Sequence, residues 1–336
     1  MSSERGRQKL EWAMRFMPVL TLLGREIREN GNLKGERISM ALHTEAKTGV
    51  LALTLARAGA HVRLSSCNPL STDDDIPDAL PSFPVGPGTL EVRAKRGQTR
   101  EDYYKALNWT LDQRPSVIID DGGDLARIVH SERNDLLEGL RGGCEETTTG
   151  VNRLRALHQQ HLLRIPMIDI NDCMMKHLFD NRYGTGQSTL DGVLRATNHL
   201  IAGRHVVVAG YGWCGKGIAS RFRGLGAQVA VVEVDQVRAI EALMDGNLVM
   251  TIGEAAPWGE IFVTATGDIH VIRGEHLRSC ATALSCATRA ISTWSSICRR
   301  CPSWPAVESA RFGTTSRSTT LETGGSTSWP RDGSST

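Results

Sequence analysis

The hydrophobic positions in the first third of the chain follow two periods in turn. Residues 6–30 carry apolar side chains three or four positions apart, which predicts one or two helices. Short apolar runs lead to His43, Asn68 and Asp121, and each run predicts a buried strand. Segments with helical periodicity separate these runs. Such alternation predicts a parallel sheet with helices on both faces.

Polar side chains stand where these predicted strands end. His43, Asn68 and Asp121 each follow a run of apolar residues. Ligands of parallel α/β sheets bind beyond the carboxyl ends of the strands. The sequence therefore predicts one site built from three loops.

A second strand–helix–strand unit begins after residue 204. The apolar residues 206–209 predict a strand, and Gly210, Gly212 and Gly215 then form a G-x-G-x-x-G pattern. A helix follows, and then a strand that ends at Glu233. Glycines here let a dinucleotide pyrophosphate approach a helix N-terminus, and an acid at the second strand's end suits the ribose hydroxyls of NAD. A glycine turn without a ligand is the alternative.

These patterns predict an α/β protein with two parallel-sheet domains. We place the first domain at residues 1–185 and the dinucleotide-binding domain, of the Rossmann type, at residues 186–277. A polar segment at residues 176–188 precedes the boundary helix. Residues 278–336 have no hydrophobic period and form a separate tail.

Composition narrows the classes of protein. The 336 residues include 40% hydrophobic and 23% charged residues, which are globular values. A net charge of +2 gives no argument for a nucleic-acid partner. The charged N-terminus lacks the apolar core of a signal peptide, and no apolar run approaches the roughly 20 residues of a membrane helix. We expect a cytoplasmic protein without a membrane partner, and its scattered cysteines suit reduced thiols.

Two polar clusters allow both a structural and a chemical interpretation. In "CEETTTG", residues 144–150, the hydroxyls and acids suit either a helix N-cap or a ligand site. Lys176 and Asp180 are four positions apart, so on a helix they share a face and form either a surface ion pair or part of a site. The histidines show no metal-ligand spacing, and we predict no metal site.

Seven stretches of the chain together resemble the S-adenosylhomocysteine hydrolase family. They occur in the family's order between about residues 10 and 277. The combination is specific, although each stretch alone is not. The sequence "KTGVLALTL" is more similar to that of archaeal and divergent bacterial members than to that of animal members. The stretches are "ALHTEAKTGVL", "SSCNPLSTDDD", "IIDDGGDL", "LRGGCEETTTGV", "IPMIDINDCMMKHLFDNRYG", "VVAGYGWCGKG" and "EIFVTATG".

The resemblance implies reversible cleavage of S-adenosyl-L-homocysteine to adenosine and L-homocysteine, a reaction of the methyl cycle. A tightly held NAD oxidises the ribose 3′-hydroxyl, homocysteine is eliminated, water adds, and the hydride returns. The first domain then binds the substrate, and the second binds NAD. Members of the family are homo-oligomers, usually tetramers.

The resemblance also implies roles for individual residues. Lys176 matches the base at the 3′-hydroxyl, and His43 and Asp121 match the acid/base pair at the leaving group. The substrate contacts are Glu45, Lys47, Asn68, Glu146, Asp180 and Asn181. The cofactor contacts are Thr147, Thr148, Thr149, Asn181, Gly210, Gly212, Trp213, Cys214, Gly215, Glu233 and Thr266.

Three positions depart from the family's pattern. Trp213 and Cys214 replace an Asp-Val pair in the glycine turn, and Thr185 stands where many members have a cysteine. Glu45 and Lys47 align with residues that face adenine in the animal branch. A lysine only donates hydrogen bonds, which suits the oxo group of hypoxanthine. S-Inosylhomocysteine is therefore an alternative substrate.

Two further functions remain open at this point. One is a catalytically inactive NAD-binding member of the family, and the other is a dehydrogenase that releases NADH. The complete set of predicted catalytic residues disfavours the first, and the "EETTTG" and "DGGD" segments disfavour the second.

The tail is rich in Ser, Thr, Arg, Cys and Trp. A reading-frame shift between about Glu275 and Ser279 would explain this composition, since translation in a shifted frame permits the family-like sequence "MRDGAVLCNTGHFDVE". The nucleotide sequence tests this hypothesis. We then expect residues 278–336 to be disordered and the chain to lack the family's C-terminal arm, which puts activity and tetramer formation in doubt. An authentic polar tail, or a zinc pair at Cys298 and Cys301, is the alternative.

Overall fold

The computed structural model describes residues 2–268, 270–280 and 285–288. It confirms an α/β fold with two parallel sheets. Six parallel strands form the first sheet, in the order β3-β2-β1-β4-β5-β6. They are β1 (Arg37–Ala41), β2 (His61–Ser65), β3 (Thr89–Arg93), β4 (Val117–Asp120), β5 (Gly142–Glu145) and β6 (Met167–Asp169).

Helices cover both faces of this sheet, because each returns the chain to begin the next parallel strand. Their apolar sides form two separate buried clusters with the sheet. The helices are α1 (Ser2–Arg15), α2 (Pro18–Asn30), α3 (Ala46–Arg57), α4 (Asp75–Ala79), α5 (Arg100–Leu111), α6 (Asp124–Ser131) and α7 (Thr148–Gln159). Two short 3₁₀ helices lie at Leu80–Ser82 and Asn134–Leu136.

The strand order places a switch point between β1 and β4. The chain runs outward from β1 to β2 and β3 on one side, and through β4 to β6 on the other. Loops at such a point diverge and leave a crevice beyond the carboxyl ends of the strands. His43 follows β1 and Asp121 follows β4, so both predicted residues stand at this crevice.

The second sheet has the order β11-β10-β7-β8-β9, with its own switch point between β7 and β10. Its strands are β7 (His205–Ala209), β8 (Gln228–Val232), β9 (Leu248–Val249), β10 (Ile261–Thr264) and β11 (Ser285–Thr288). Its helices are α8 (Thr185–Thr197), α9 (Trp213–Gly224), α10 (Gln236–Met244), α11 (Ile252–Trp258) and α12 (Gly274–Ser279). The glycine turn follows β7, at the switch point.

The polar segment before the boundary helix is itself helical. Lys176–Gly184 form a π-helix that continues directly into α8. The boundary placed at residue 186 therefore falls inside a continuous helix and not in a loop.

Two short segments of the tail are described. Helix α12 extends to Ser279, and Ser285–Thr288 pair in parallel with β10. Disorder of the tail stays a prediction. The remaining tail, including Cys298 and Cys301, lies outside the described residues.

Within the described residues, no helix is both long and apolar enough to span a membrane. A cytoplasmic location and a homotetramer stay predictions.

Candidate functional site

An imidazole and a carboxylate meet at the switch point of the first sheet. His43 Nε2 lies 3.5 Å from Asp121 Oδ2, and His43 Nδ1 lies 2.6 Å from Ser71 Oγ. Cys67 Sγ donates to the same Asp121 oxygen at 3.4 Å. Asn68 follows Cys67, and its side-chain oxygen accepts from the backbone N–H of Leu70. The three predicted strand-end residues therefore belong to one loop cluster, as the sequence indicates.

Lys176 lies among oxygen acceptors at the start of the π-helix. Its Nζ is 3.1 Å from Glu146 Oε1 and 3.4 Å from Asp180 Oδ2, and it donates to Asn181 Oδ1 at 2.9 Å. Only 12% of the lysine side chain is exposed. Asn181 in turn donates to Asn171 Oδ1 at 3.0 Å. This cluster contains four predicted residues, and the buried Asn171 is a supporting residue that the sequence analysis missed.

Burial changes the protonation of two groups in these clusters. It raises the pKa of Glu146, while the nearby Lys176 ammonium opposes the rise. It also raises the pKa of the Cys67 thiol well above its ordinary value, and the Asp121 charge adds to the rise. Both groups therefore hold a proton more readily than they would in water.

A second pair of carboxyl groups lies directly below the site. Asp120 and Glu145 are opposite each other on β4 and β5, and both are fully buried. Burial, with the neighbouring Glu145 charge, raises the pKa of Asp120 to about 8. Each precedes a candidate site residue, Asp121 or Glu146. The sequence analysis missed this pair, whose only signal was an acid doublet at the end of each strand.

The "CEETTTG" segment combines both of its interpretations. Thr147 caps α7: its hydroxyl accepts from the Gly150 N–H at 3.0 Å and donates to Glu145 Oε1 at 2.8 Å. Glu146 faces Lys176. Thr148 and Thr149 are exposed in the first turn of α7. The hydroxyl of Thr147 is thus committed to the fold, whereas its two neighbours are open to a ligand.

The residues aligned with the purine contacts lie at the N-terminus of α3. Glu45 caps this helix by accepting from the Thr48 N–H at 3.0 Å. Lys47 Nζ lies 3.3 Å from the other Glu45 carboxylate oxygen. The lysine side chain is 67% exposed, so its ammonium can reach a ligand.

The glycine turn has the geometry that a dinucleotide requires. Gly210 has a φ of 98°, and a Cβ at Gly215 would lie 1.9 Å from the Gly210 oxygen. A Cβ at Gly212 would meet only an arginine tip at 3.9 Å, so this position is open to a close approach. Gly210 thus allows the tight turn, Gly212 allows a ligand to approach the backbone, and Gly215 allows close packing of the helix against the turn. These residues fit a bound pyrophosphate.

Glu233 follows β8 and Thr266 follows β10, the two strands on either side of β7 and its glycine turn. Glu233 Oε2 accepts from the Tyr211 N–H at 2.6 Å, which ties the acid to the glycine turn. Thr266 follows β10, and its methyl carbon would lie 3.0 Å from a Cβ on Gly210. Both predicted cofactor contacts therefore lie at the second switch point.

Trp213 connects the two halves of the molecule at the start of α9. Its ring lies 5.1 Å from the His177 ring of the π-helix and 4.6 Å from Lys216 Nζ. The adjacent Cys214 Sγ is 3.9 Å from Thr185 Oγ1. The bulky residue that departs from the family's pattern is thus accommodated by contacts with the segment that carries Lys176.

Comparison with known proteins gives consistent matches. The family model described as S-adenosyl-L-homocysteine hydrolase matches residues 1–139, and that of its NAD-binding domain matches residues 181–289. An adenosylhomocysteinase of Pyrococcus abyssi is 56% identical over 271 residues, covering 81% of this chain and 63% of the relative. An S-inosyl-L-homocysteine hydrolase of Methanocaldococcus jannaschii is 53% identical over 272 residues, covering 81% and 64%.

This chain therefore spans less than two thirds of the length of these two relatives. The match to the NAD-binding domain confirms NAD as the predicted cofactor.

Proposed function

Because the chain belongs to the S-adenosyl-L-homocysteine hydrolase family, we propose that it cleaves S-adenosyl-L-homocysteine reversibly to adenosine and homocysteine. The observation that carries this proposal is the lysine cluster: Lys176 Nζ lies within 3.4 Å of oxygens from Glu146, Asp180 and Asn181. The His43–Asp121 pair belongs to the same sheet edge. A base, hydroxyl acceptors and an acid/base pair are the groups that this reaction needs.

The lysine cluster suits the ribose. Carboxylates only accept hydrogen bonds when ionised, so Glu146 and Asp180 would accept from the ribose hydroxyls. Such a ribose would bring its 3′-hydroxyl to Lys176, which in its neutral amine form takes the hydroxyl proton and later returns it. Bound NAD supplies reversible hydride transfer at C3′. Low exposure of the lysine limits the access of water to this step.

The His43–Asp121 pair suits the opposite end of the reaction. Elimination leaves a homocysteine thiolate that needs a proton, and the water that adds next must lose one. An imidazole that lies 3.5 Å from a carboxylate can exchange protons in both directions. Ser71, at 2.6 Å from His43 Nδ1, fixes the orientation of the ring.

Turnover by the NAD-loaded protein tests the proposal. Homocysteine thiol and adenosine should form in equal amounts without accumulation of NADH. Lys176→Gln should lower kcat by roughly 10²–10⁴-fold, the usual contribution of a general base. Lys105→Gln is the matched control, because Lys105 pairs with Glu101 on an exposed helix face.

Equal kcat values for the two variants would contradict the assigned role of Lys176. Net NADH formation would favour an ordinary dehydrogenase, whereas NAD binding without turnover would favour an inactive family member.

S-Inosyl-L-homocysteine is the second candidate substrate, and Lys47 is the observation that favours it. Its exposed ammonium offers only donors, which match the oxo group of hypoxanthine better than the amino group of adenine. We expect kcat/KM for the inosyl substrate to exceed that for the adenosyl substrate. Lys47→Gln should bring the two kcat/KM values closer together. A clear preference of the unmodified protein for the adenosyl substrate would remove this candidate.

A further inference from the structure

Three side chains with different ligand atoms converge at the switch point of the first sheet. His43 Nε2, Cys67 Sγ and a carboxylate oxygen of Asp121 all lie within 4.8 Å of one another. These residues follow β1, β2 and β4, so only the sheet order brings them together. The prediction of no metal site used spacing along the sequence, which cannot detect such a set.

The distances suit one tetrahedral ion. Zinc lies about 2.0–2.3 Å from nitrogen, oxygen and sulfur ligands, so two of its tetrahedral ligands are about 3.3–3.6 Å apart. His43 Nε2 and Asp121 Oδ2 are 3.5 Å apart. Cys67 Sγ and Asp121 Oδ2 are 3.4 Å apart. Both distances from the Asp121 oxygen to the other two ligand atoms therefore match those around a tetrahedral zinc ion.

The surroundings orient the imidazole for such a role. Ser71 Oγ donates to the Asn68 carbonyl at 3.4 Å, and His43 Nδ1 lies 2.6 Å from the same hydroxyl oxygen. In the tautomer in which Nδ1–H donates to this hydroxyl, the Nε2 lone pair faces Asp121 and is available to a cation. Metal-bound histidines commonly hold their second nitrogen in this way.

We propose that His43, Cys67 and Asp121 bind a zinc ion. Three protein ligands leave a fourth tetrahedral position open to water or a thiol. Binding releases the Cys67 proton, because the thiolate is the ligand. The ion occupies the acid/base pair and inhibits turnover reversibly, a consequence that rests on the proposed function.

Cobalt titration of the NAD-loaded protein tests the site without measuring activity. Co²⁺ bound to a thiolate absorbs in the near ultraviolet, so the unmodified protein should show this absorption with saturable binding. Cys67→Ser should lose one bound equivalent and the matching part of the absorption. Cys173→Ser is the matched control, since Cys173 is an exposed thiol outside the set. Equal binding and absorption in Cys67→Ser and the unmodified protein would overturn the proposal.

Inhibition by zinc is the second arm of the test. We expect the zinc concentration for half-inhibition to rise at least tenfold in Cys67→Ser and to stay unchanged in Cys173→Ser. The same half-inhibition in Cys67→Ser and the unmodified protein would overturn an inhibitory role. If the unmodified protein shows no turnover but Cys67→Ser binds one equivalent of cobalt less than it does, the proposed function is contradicted and the metal site is supported.

Discussion

Among single residues, Asp120 and Glu145 support the loops of the candidate site without belonging to it. Glu145 Oε1 accepts from the backbone N–H groups of Gly122 and Thr147, at 2.8 and 2.9 Å. The Asp120 carbonyl accepts from the Glu146 N–H at 3.0 Å. Burial raises the pKa of both carboxyl groups, and the Glu145 charge adds to the rise at Asp120, so protonation is easier here than in water. Through these hydrogen bonds the two residues hold the loops of the site in place.

The pH dependence of unfolding tests this protonation. The folded pKa of Asp120, about 8, exceeds that of an unfolded aspartate. The folded state therefore binds an extra proton between about pH 4 and pH 8, and its stability falls as pH rises through this range. Asp120→Asn keeps a side-chain oxygen that can accept from the Ala126 N–H, and its uncharged amide resembles the protonated carboxyl. Its melting temperature should then fall less between pH 5 and pH 8 than that of the unmodified protein.

The exposed Asp191→Asn is the matched control and should keep the original pH profile. Identical pH slopes for Asp120→Asn and the unmodified protein would show that Asp120 is ionised in the folded state.

Among the elements, the contact between α9 and the π-helix joins the two halves of the chain. A Cβ at Gly217 would lie 1.6 Å from the Arg182 carbonyl oxygen, so α9 lies directly against the π-helix backbone. A Cβ at Gly186, in the first turn of α8, would lie 2.6 Å from the Gly217 carbonyl oxygen. A π-helix is rare and commonly occurs at functional sites. Here its first residue is Lys176 and its last turn contacts α9, so packing on the second domain supports the position of the candidate base.

Gly217→Ala should separate these helices. The clash involves backbone atoms on both sides, and overpacking of this kind typically costs about 1–3 kcal/mol. Thermal unfolding should show a lower melting temperature, and turnover should fall because Lys176 moves. Gly224→Ala, in the same helix, is the matched control: nothing lies within 4 Å of its added Cβ, and alanine favours helix. Equal melting temperatures for both variants would contradict this close packing.

The sequence predicts those elements whose signal is local. Apolar runs that end in a polar residue predict β1, β2 and β4, and parallel topology then brings His43 and Asp121 together. The π-helix has no such apolar signal, and the position of Lys176 beside Glu146 depends on contacts between distant parts of the chain. Asn171 contributes only through Asn181, and no spacing rule identifies a residue that acts through another one. Long-range packing decides these features.

For the whole molecule, we expect both domains to contact the cofactor. The glycine turn and Glu233 belong to the second sheet, whereas Thr148 and Thr149 lie on the first turn of α7. The family resemblance assigns these hydroxyls to NAD. The continuous π-helix and α8 connect the two sites without a flexible loop. A ligand that contacts both domains would then stabilise their relative positions as well as each fold.

Thr149→Val tests whether the first domain contributes to NAD binding. Its hydroxyl is exposed, so its loss should leave the melting temperature of the NAD-free protein nearly unchanged. One lost hydrogen bond to NAD, about 0.5–1.5 kcal/mol, should raise the Kd roughly 2- to 12-fold in calorimetry. Thr147→Val is the matched control and should lower the melting temperature, because it removes the α7 cap, worth about 1 kcal/mol. An unchanged Kd for Thr149→Val would indicate that this hydroxyl makes no contribution and leave the second domain to bind NAD without it.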